Sequence, residues 1–225
     1  MPLEGSERYL RVSDEIQPLL AMLDLYTDGF GPYHPDTLAV AQKLAIAFWR
    51  AGDIDKAVSL LDQAVDHLTS TFGEEHPMRV DVLSTLGEIM FEQRHLEQAG
   101  MILREVLDYC IRRSGANHAS SLAAKGSLAA ALFDLGHEEE ADSLEREAFE
   151  SARAHLGKTH PVTCVLAWNR TLMYERRRDP ASAREVIVNE LVWLLAEDTS
   201  RLEADQNAIR TMLAERLCWD AARAC

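Results

Sequence analysis

The sequence predicts an all-α solenoid of stacked antiparallel helix pairs, and three observations lead there. A Gly-x-x-His tetrad recurs four times, as Gly31-Pro32-Tyr33-His34, Gly73-Glu74-Glu75-His76, Gly115-Ala116-Asn117-His118 and Gly157-Lys158-Thr159-His160, each 42 residues after the last. A strict period in this range marks a repeat architecture. Inside a copy the apolar spacing is helical: Ala41, Leu44, Ala45 and Phe48 fall on i, i+3, i+4, i+7, and Ala57, Leu60, Leu61, Ala64 and Leu68 form a second series after Gly52. Columns of similar residues keep the same step, among them Ala57, Ala99, Ala141 and Ala183, then Leu44, Leu86 and Leu128, then Phe48, Met90, Leu132 and Tyr174.

Each tetrad reads as a helix stop followed by a helix start. Glycine ends one helix, where a left-handed residue costs least without a Cβ. Pro35, Pro77 and Pro161 follow three of the histidines and suit the first helical position. The third joint has Ala119 instead, so Asn117-His118 must cap unaided. Gly52 and Gly136 mark inner turns, Asp53 is a candidate N-cap, and Asp179-Pro180 supplies cap and first position in the last copy. The predicted helices span about 35–50, 54–71, 77–93, 96–113, 119–135, 138–156, 161–177 and 180–196. A lone second helix over about 7–28, interrupted at Pro18, and a closing helix over about 199–222 cover the two ends, as the apolar end faces of a solenoid require. The expected organisation is an N-terminal cap over 1–30, four repeats over 31–72, 73–114, 115–156 and 157–198, and a C-terminal cap over 199–225.

Composition narrows the function. The 225 residues are 47% hydrophobic and 27% charged, with 37 acidic against 23 basic side chains and a net charge of −14. Such a surface repels nucleic acid and anionic membranes and favours neutral or basic partners. Of the four cysteines, Cys110, Cys164 and Cys218 read as buried helical thiols and Cys225 as a free one, which suits a reducing cytoplasm. The opening Met-Pro-Leu-Glu-Gly-Ser-Glu-Arg lacks the pattern of a signal peptide, and no apolar run is long enough to span a membrane. The eight histidines form no His-x3-His pair or His/Cys cluster, so no metal or cofactor is expected, and capping accounts for the joint histidines. No phosphate loop or nucleophile elbow is present.

The residues at fixed offsets resemble a tetratricopeptide repeat. The first copy has Leu44-Ala45, Phe48, Gly52, Ala57, Leu61 and Ala64, and the third has Leu128-Ala129, Leu132, Gly136, Ala141 and Ala148. The long period and the Gly-x-x-His-Pro joint resemble the kinesin light chain subgroup, over roughly residues 31–196. The chain departs from that subgroup where Gln42-Lys43, Ser84-Thr85 and Gly126-Ser127 replace paired asparagines, leaving Asn169, and where Arg170-Thr171 replaces Leu-Ala. The resemblance implies a right-handed superhelix whose first helices line a concave groove.

By the family's offsets, Ile46, Trp49 and Arg50 face that groove from the first copy, and Asp81, Glu88, Phe91 and Glu92 from the second. Ala130, Phe133 and Asp134 face it from the third copy, and Trp168, Leu172 and Arg176 from the fourth. Trp49, Phe91 and Phe133 form an aromatic column beside the core column of Phe48, Met90 and Leu132. Ala39, Ala123, Gly126 and Ala130 leave room beside this column; Trp49 and Trp168 are the stronger surface anchors, while Phe91 and Phe133 read equally well as core packed between adjacent repeats. The acids would favour a basic feature on the partner. The resemblance also supplies a carboxylate-clamp pattern of Lys, Asn and Arg, which these acidic and apolar positions lack. The expected function is a non-catalytic module that holds a peptide, helix or partner domain. Alternatives are a sensing module for a peptide or small apolar molecule, and a small enzyme using Glu88 with Asp81 or Asp134 as acid and base. Self-association through a solenoid end, Arg170 or the C-terminal helix is also open.

Overall fold

A computed structural model describes the backbone of residues 4–223 and the side chains of 15–216; Cys218 and Cys225 lie outside the described side chains. Among the described residues the regular structure is all helical, and the chain divides into two compact units, Met1–Tyr109 and Cys110–Cys225.

The N-terminal unit holds α1 (Glu4–Phe30), α2 (Pro35–Ala51), α3 (Ile54–Phe72), α4 (Pro77–Glu92) and most of α5 (Leu96–Ser114). Consecutive helices pack in pairs, and α2 also lies against α4. The core holds Leu44 and Leu86 of one sequence column and Ala57 of another, with Ala45, Leu61, Leu68 and Leu103, all buried. Helix α1 runs through Pro18, contrary to the expected interruption. Pro18 is exposed. The carbonyl deprived of its partner can therefore bond to water, and helix bends are tolerated on that side.

The C-terminal unit holds α6 (Ala119–Asp134), α7 (Glu138–His155), α8 (Pro161–Arg176), α9 (Pro180–Val186), a π-turn (Ile187–Leu191), α10 (Trp193–Ala196), a 3₁₀ turn (Thr199–Arg201) and α11 (Ala204–Arg223). The single helix expected over 180–196 is thus broken. The Val192 amide donates to the Ile187 carbonyl at 3.0 Å, an i to i+5 bond that widens one turn. The turn carries Glu190 inward, where its buried carboxylate meets Arg153 at 2.5 Å, and the indole of Trp193 donates to the Glu190 carbonyl at 2.9 Å.

The joints follow the predicted chemistry. Gly31, Gly73, Gly115 and Gly157 all have φ between 84 and 94°. Nδ1 of His34, His118 and His160 accepts the amide of Asp36, Ser120 and Val162 respectively, while His76 makes no such bond. Thr37 and Ser121 donate their hydroxyls at 2.8 Å to the carbonyls of Gly31 and Gly115, tying each start to the preceding stop. At the inner turns Asp179 caps α9 by accepting the Ser182 amide at 3.1 Å. Asp53 makes no side-chain cap, because its carboxylate pairs instead with Lys56 at 2.5 Å.

Candidate functional site

In the N-terminal unit the groove positions lie on two parallel first helices, α2 and α4. The Gln42 side-chain amide crosses between them, donating to the Asp81 carbonyl at 3.1 Å and the Thr85 hydroxyl at 2.9 Å. That bridge fixes the face on which Trp49 and Phe91 occur one repeat apart. Both rings are half-buried, as is Ile46. Arg50 closes the last turn of α2, and Asp81, Glu88 and Glu92 are exposed along α4. Partial desolvation at the helix surface raises the Asp81 carboxyl above its usual value. Asp81 and Glu88 are seven residues apart on one helix, so about 10 Å of rise separates them. This is a solvated acidic stripe flanking an apolar strip.

The C-terminal unit treats the same positions differently. Trp168 is buried, at 9% exposure, and Arg216 of α11 lies over its ring at 6.0 Å. Expected as a surface anchor, it belongs to the core together with Leu166, Leu191, Leu194, Ile209 and Leu213. The helix that closes the unit covers it. Leu172 is half-buried against that core. Asp134 and Arg176, both expected to face the groove, are paired with each other and satisfy one another. Phe133 and Ala130 are half-buried. Arg176 and Arg177 lie over the Phe133 ring at 5.8 and 5.4 Å, and Glu175 pairs with Arg216. Gly126, expected to leave room in the groove, is buried; a Cβ there would stand 2.4 Å from Leu166 Cδ2. It lets α6 and α8 approach. The intended core column is also less uniform than its spacing suggests. Leu132 is buried, but Phe48, Met90 and Tyr174 are half-buried, so their ring and thioether edges reach solvent much as the groove aromatics do.

Among the described residues no three His, Cys, Asp or Glu side chains are grouped to hold a metal ion, and no helix is long and apolar enough to cross a membrane. Cys110 and Cys164 are buried thiols.

Comparison with known proteins agrees with the helix pairs. Family models described as tetratricopeptide repeat match residues 19–70, 50–112 and 121–162. The chain belongs to the tetratricopeptide repeat family. Its fold is similar to crystal structures of a Podosopora anserina kinesin light chain protein with nearly identical TPR-like repeats. One has a TM-score of 0.68 at 22% identity over 85% of this chain and 92% of that one; another has 0.64 at 22% over 82% and 88%. BtubC (BKLC) from P. vanneervenii gives 0.62 at 16% identity over 90% and 97%. No curated protein sequence matches.

Within this tetratricopeptide repeat protein one buried feature went unread in the sequence. Arg170 donates to Glu145 at 3.1 Å and to the Tyr174 hydroxyl at 3.1 Å, and its guanidinium lies 5.3 Å from the Phe149 ring centre. Glu145 is 3% exposed, with Oε1 unpartnered. Burial pushes its carboxyl up to about 7, against the pull of Arg170. The signal was available: one and two repeats earlier, the same two columns hold Leu103 with Leu128 and Leu61 with Leu86.

Proposed function

We propose that this protein is a non-catalytic interaction scaffold that captures a partner segment on the first-helix face of its N-terminal unit. Tetratricopeptide repeats mediate protein–protein contact. The choice of face rests on one contrast. Trp49 and Phe91 keep part of their rings open on helices held together by Gln42, while in the other unit Trp168 is buried and Phe133 lies under two arginines. Aromatic anchors flanked by Asp81, Glu88 and Glu92 suit a segment that presents an apolar side chain next to a basic one. The buried thiols Cys110 and Cys164 suit work in a reducing cytoplasm.

The test is capture of a partner identified by mass spectrometry. Trp49→Asp combined with Phe91→Asp should weaken capture more than about thirtyfold, the scale of a lost hot spot, with the helical circular-dichroism signal intact. Phe133→Asp should leave capture largely unchanged. Capture that survives the first pair of substitutions rejects this face as the binding site.

A further inference from the structure

The joints of the N-terminal unit carry a second cluster of exposed aromatic rings. Aromatic rings run along this edge in contact with the joint histidines. Phe30 meets Tyr26 edge-on at 5.5 Å and stacks on His34 at 4.9 Å. One repeat later Phe72 stacks in the same way on His76 at 4.7 Å. Tyr33 stacks on His67, which in turn meets Phe72 edge-on, so the two joints are linked by ring contacts. These rings are wet: Phe30 is 58% exposed, Phe72 52% and Tyr33 48%. Joint packing does not require them, because the next two copies place Ser114 and Leu156 at the Phe30 position. Exposed aromatic clusters of this kind mark interaction sites.

The surrounding charge is of one sign. Asp28, Asp36, Asp66, Glu74 and Glu75 are exposed in the same segments. The basic residue of residues 20–37 and 62–82 is Arg79, which is buried and bonded to Glu105 at 2.5 Å. Over residues 1–109 there are 19 acidic and 8 basic side chains, against 18 and 15 in the remainder. The net charge of −14 is therefore concentrated in this unit. Rings alone could stack on nucleic-acid bases, but the acidic side chains of these segments repel the phosphates that supply most of that affinity. The side chain that satisfies both features is arginine, whose planar guanidinium stacks on an aromatic face while its fork bonds a carboxylate.

We propose that this joint edge, with the half-exposed rings of Phe30, Tyr33 and Phe72 among Asp36, Glu74 and Glu75, docks an arginine-bearing extended segment of a partner protein. Two joints one repeat apart provide two like seats, so an extended chain with spaced arginines fits better than one isolated side chain. Lysine, a compact hydrated charge, uses the carboxylates but gains less from the rings.

The experiment measures fluorescence anisotropy of a labelled peptide of alternating glycine and arginine, and of its lysine counterpart, with the full chain at low ionic strength. The arginine peptide should bind, and more tightly than the lysine peptide. Phe30→Ser with Phe72→Ser should weaken it about tenfold, on the scale of lost cation–π contacts. Glu74→Gln with Glu75→Gln should weaken it as well, and Trp49→Asp should leave it unchanged. If the double ring variant loses its helical signal, Tyr33→Ser and the glutamine pair carry the test. No binding, equal affinity of the ring variants and wild type, or loss of binding in Trp49→Asp would each overturn the proposal; the last would assign the peptide to the first-helix face.

Discussion

Backbone strain sits at two arginines. Gly52 and Gly136 turn between the helices of their pairs with φ of 84 and 86°, and Arg94 and Arg178 occupy the same place in the other two copies with φ of 65 and 59°. A side chain in the left-handed region costs about 1–2 kcal/mol, which glycine avoids. Arg178→Gly should therefore raise stability by about 1 kcal/mol, after glycine's larger loss of chain entropy, a shift of about 2–4 °C by thermal melting. A lower melting point would mean that the arginine side chain compensates for its backbone. The glycine turns were legible in the sequence because glycine announces a left-handed position. The arginine turns follow only from the 42-residue step, since arginine itself signals nothing of the kind. Gly126 shows the opposite limit. Its small size was plain, but whether it opened a groove or admitted Leu166 depended on where the neighbouring helix lay.

At the scale of helix pairs, Glu145 and Arg170 replace a leucine contact with a buried ion pair. Such pairs often stabilise less than well-packed apolar residues, while removing one partner is costly. Glu145→Leu alone should destabilise by about 3 kcal/mol, and Glu145→Leu with Arg170→Leu, which restores the pairing of the earlier copies, should recover that loss or exceed wild type. Denaturant unfolding of the three variants checks this, and an additive double variant would mean the two groups do not act as a pair. The pH dependence has a definite sign. A carboxyl whose folded-state pKa rises from 4.5 to about 7, with burial the main cause, binds its proton more tightly in the folded chain. Its contribution is therefore most favourable below about pH 4.5, declines as pH rises, and levels off above about 7. Asp142 and Glu150 push in the same direction as burial, and Arg170 and Arg177 oppose it. Relative to Glu145→Gln, wild type should lose on the order of 2–3 kcal/mol between pH 4.5 and 8; parallel stability curves would contradict this. The break in the last second helix belongs to the same scale. Nothing in the apolar spacing of 180–196 announced a π-turn, in which Glu190 meets Arg153 of a different helix.

At the scale of the whole chain, the repeat step outlasts the tetrads. Helix α11 packs on α8 and α10 much as α8 packs on α6 and α7. Gln206 lies 42 residues after Cys164 and bonds back to its sulfur and to the Thr159 carbonyl. In this register Leu213 follows Ala45, Gly87, Ala129 and Thr171, all buried. Small residues at that column admit a companion second helix, as the close approach of Gly87 to Leu103 illustrates. At this column Leu213 carries a larger side chain, fully buried with Leu166, Leu191 and Leu194. The sequence pattern placed a helix here but not this register, because the joint motif is missing at residues 199–202. Leu213→Ala should cost about 2–5 kcal/mol in urea unfolding, and a loss below 1 kcal/mol would argue that α11 contributes little to the fold. The environment of the expected groove residues was legible only in part. The period assigned every position to a face, but burial of Trp168 and neutralisation of Asp134 depend on Arg216 and Arg176, side chains whose reach no periodicity encodes. The joint caps have a spectroscopic consequence. An imidazole whose Nδ1 accepts a backbone amide must carry its proton on Nε2. His34, His118 and His160 are therefore fixed in one tautomer, and their ring ¹⁵N resonances would report the opening of three separate helix starts. Local unfolding could then be followed joint by joint.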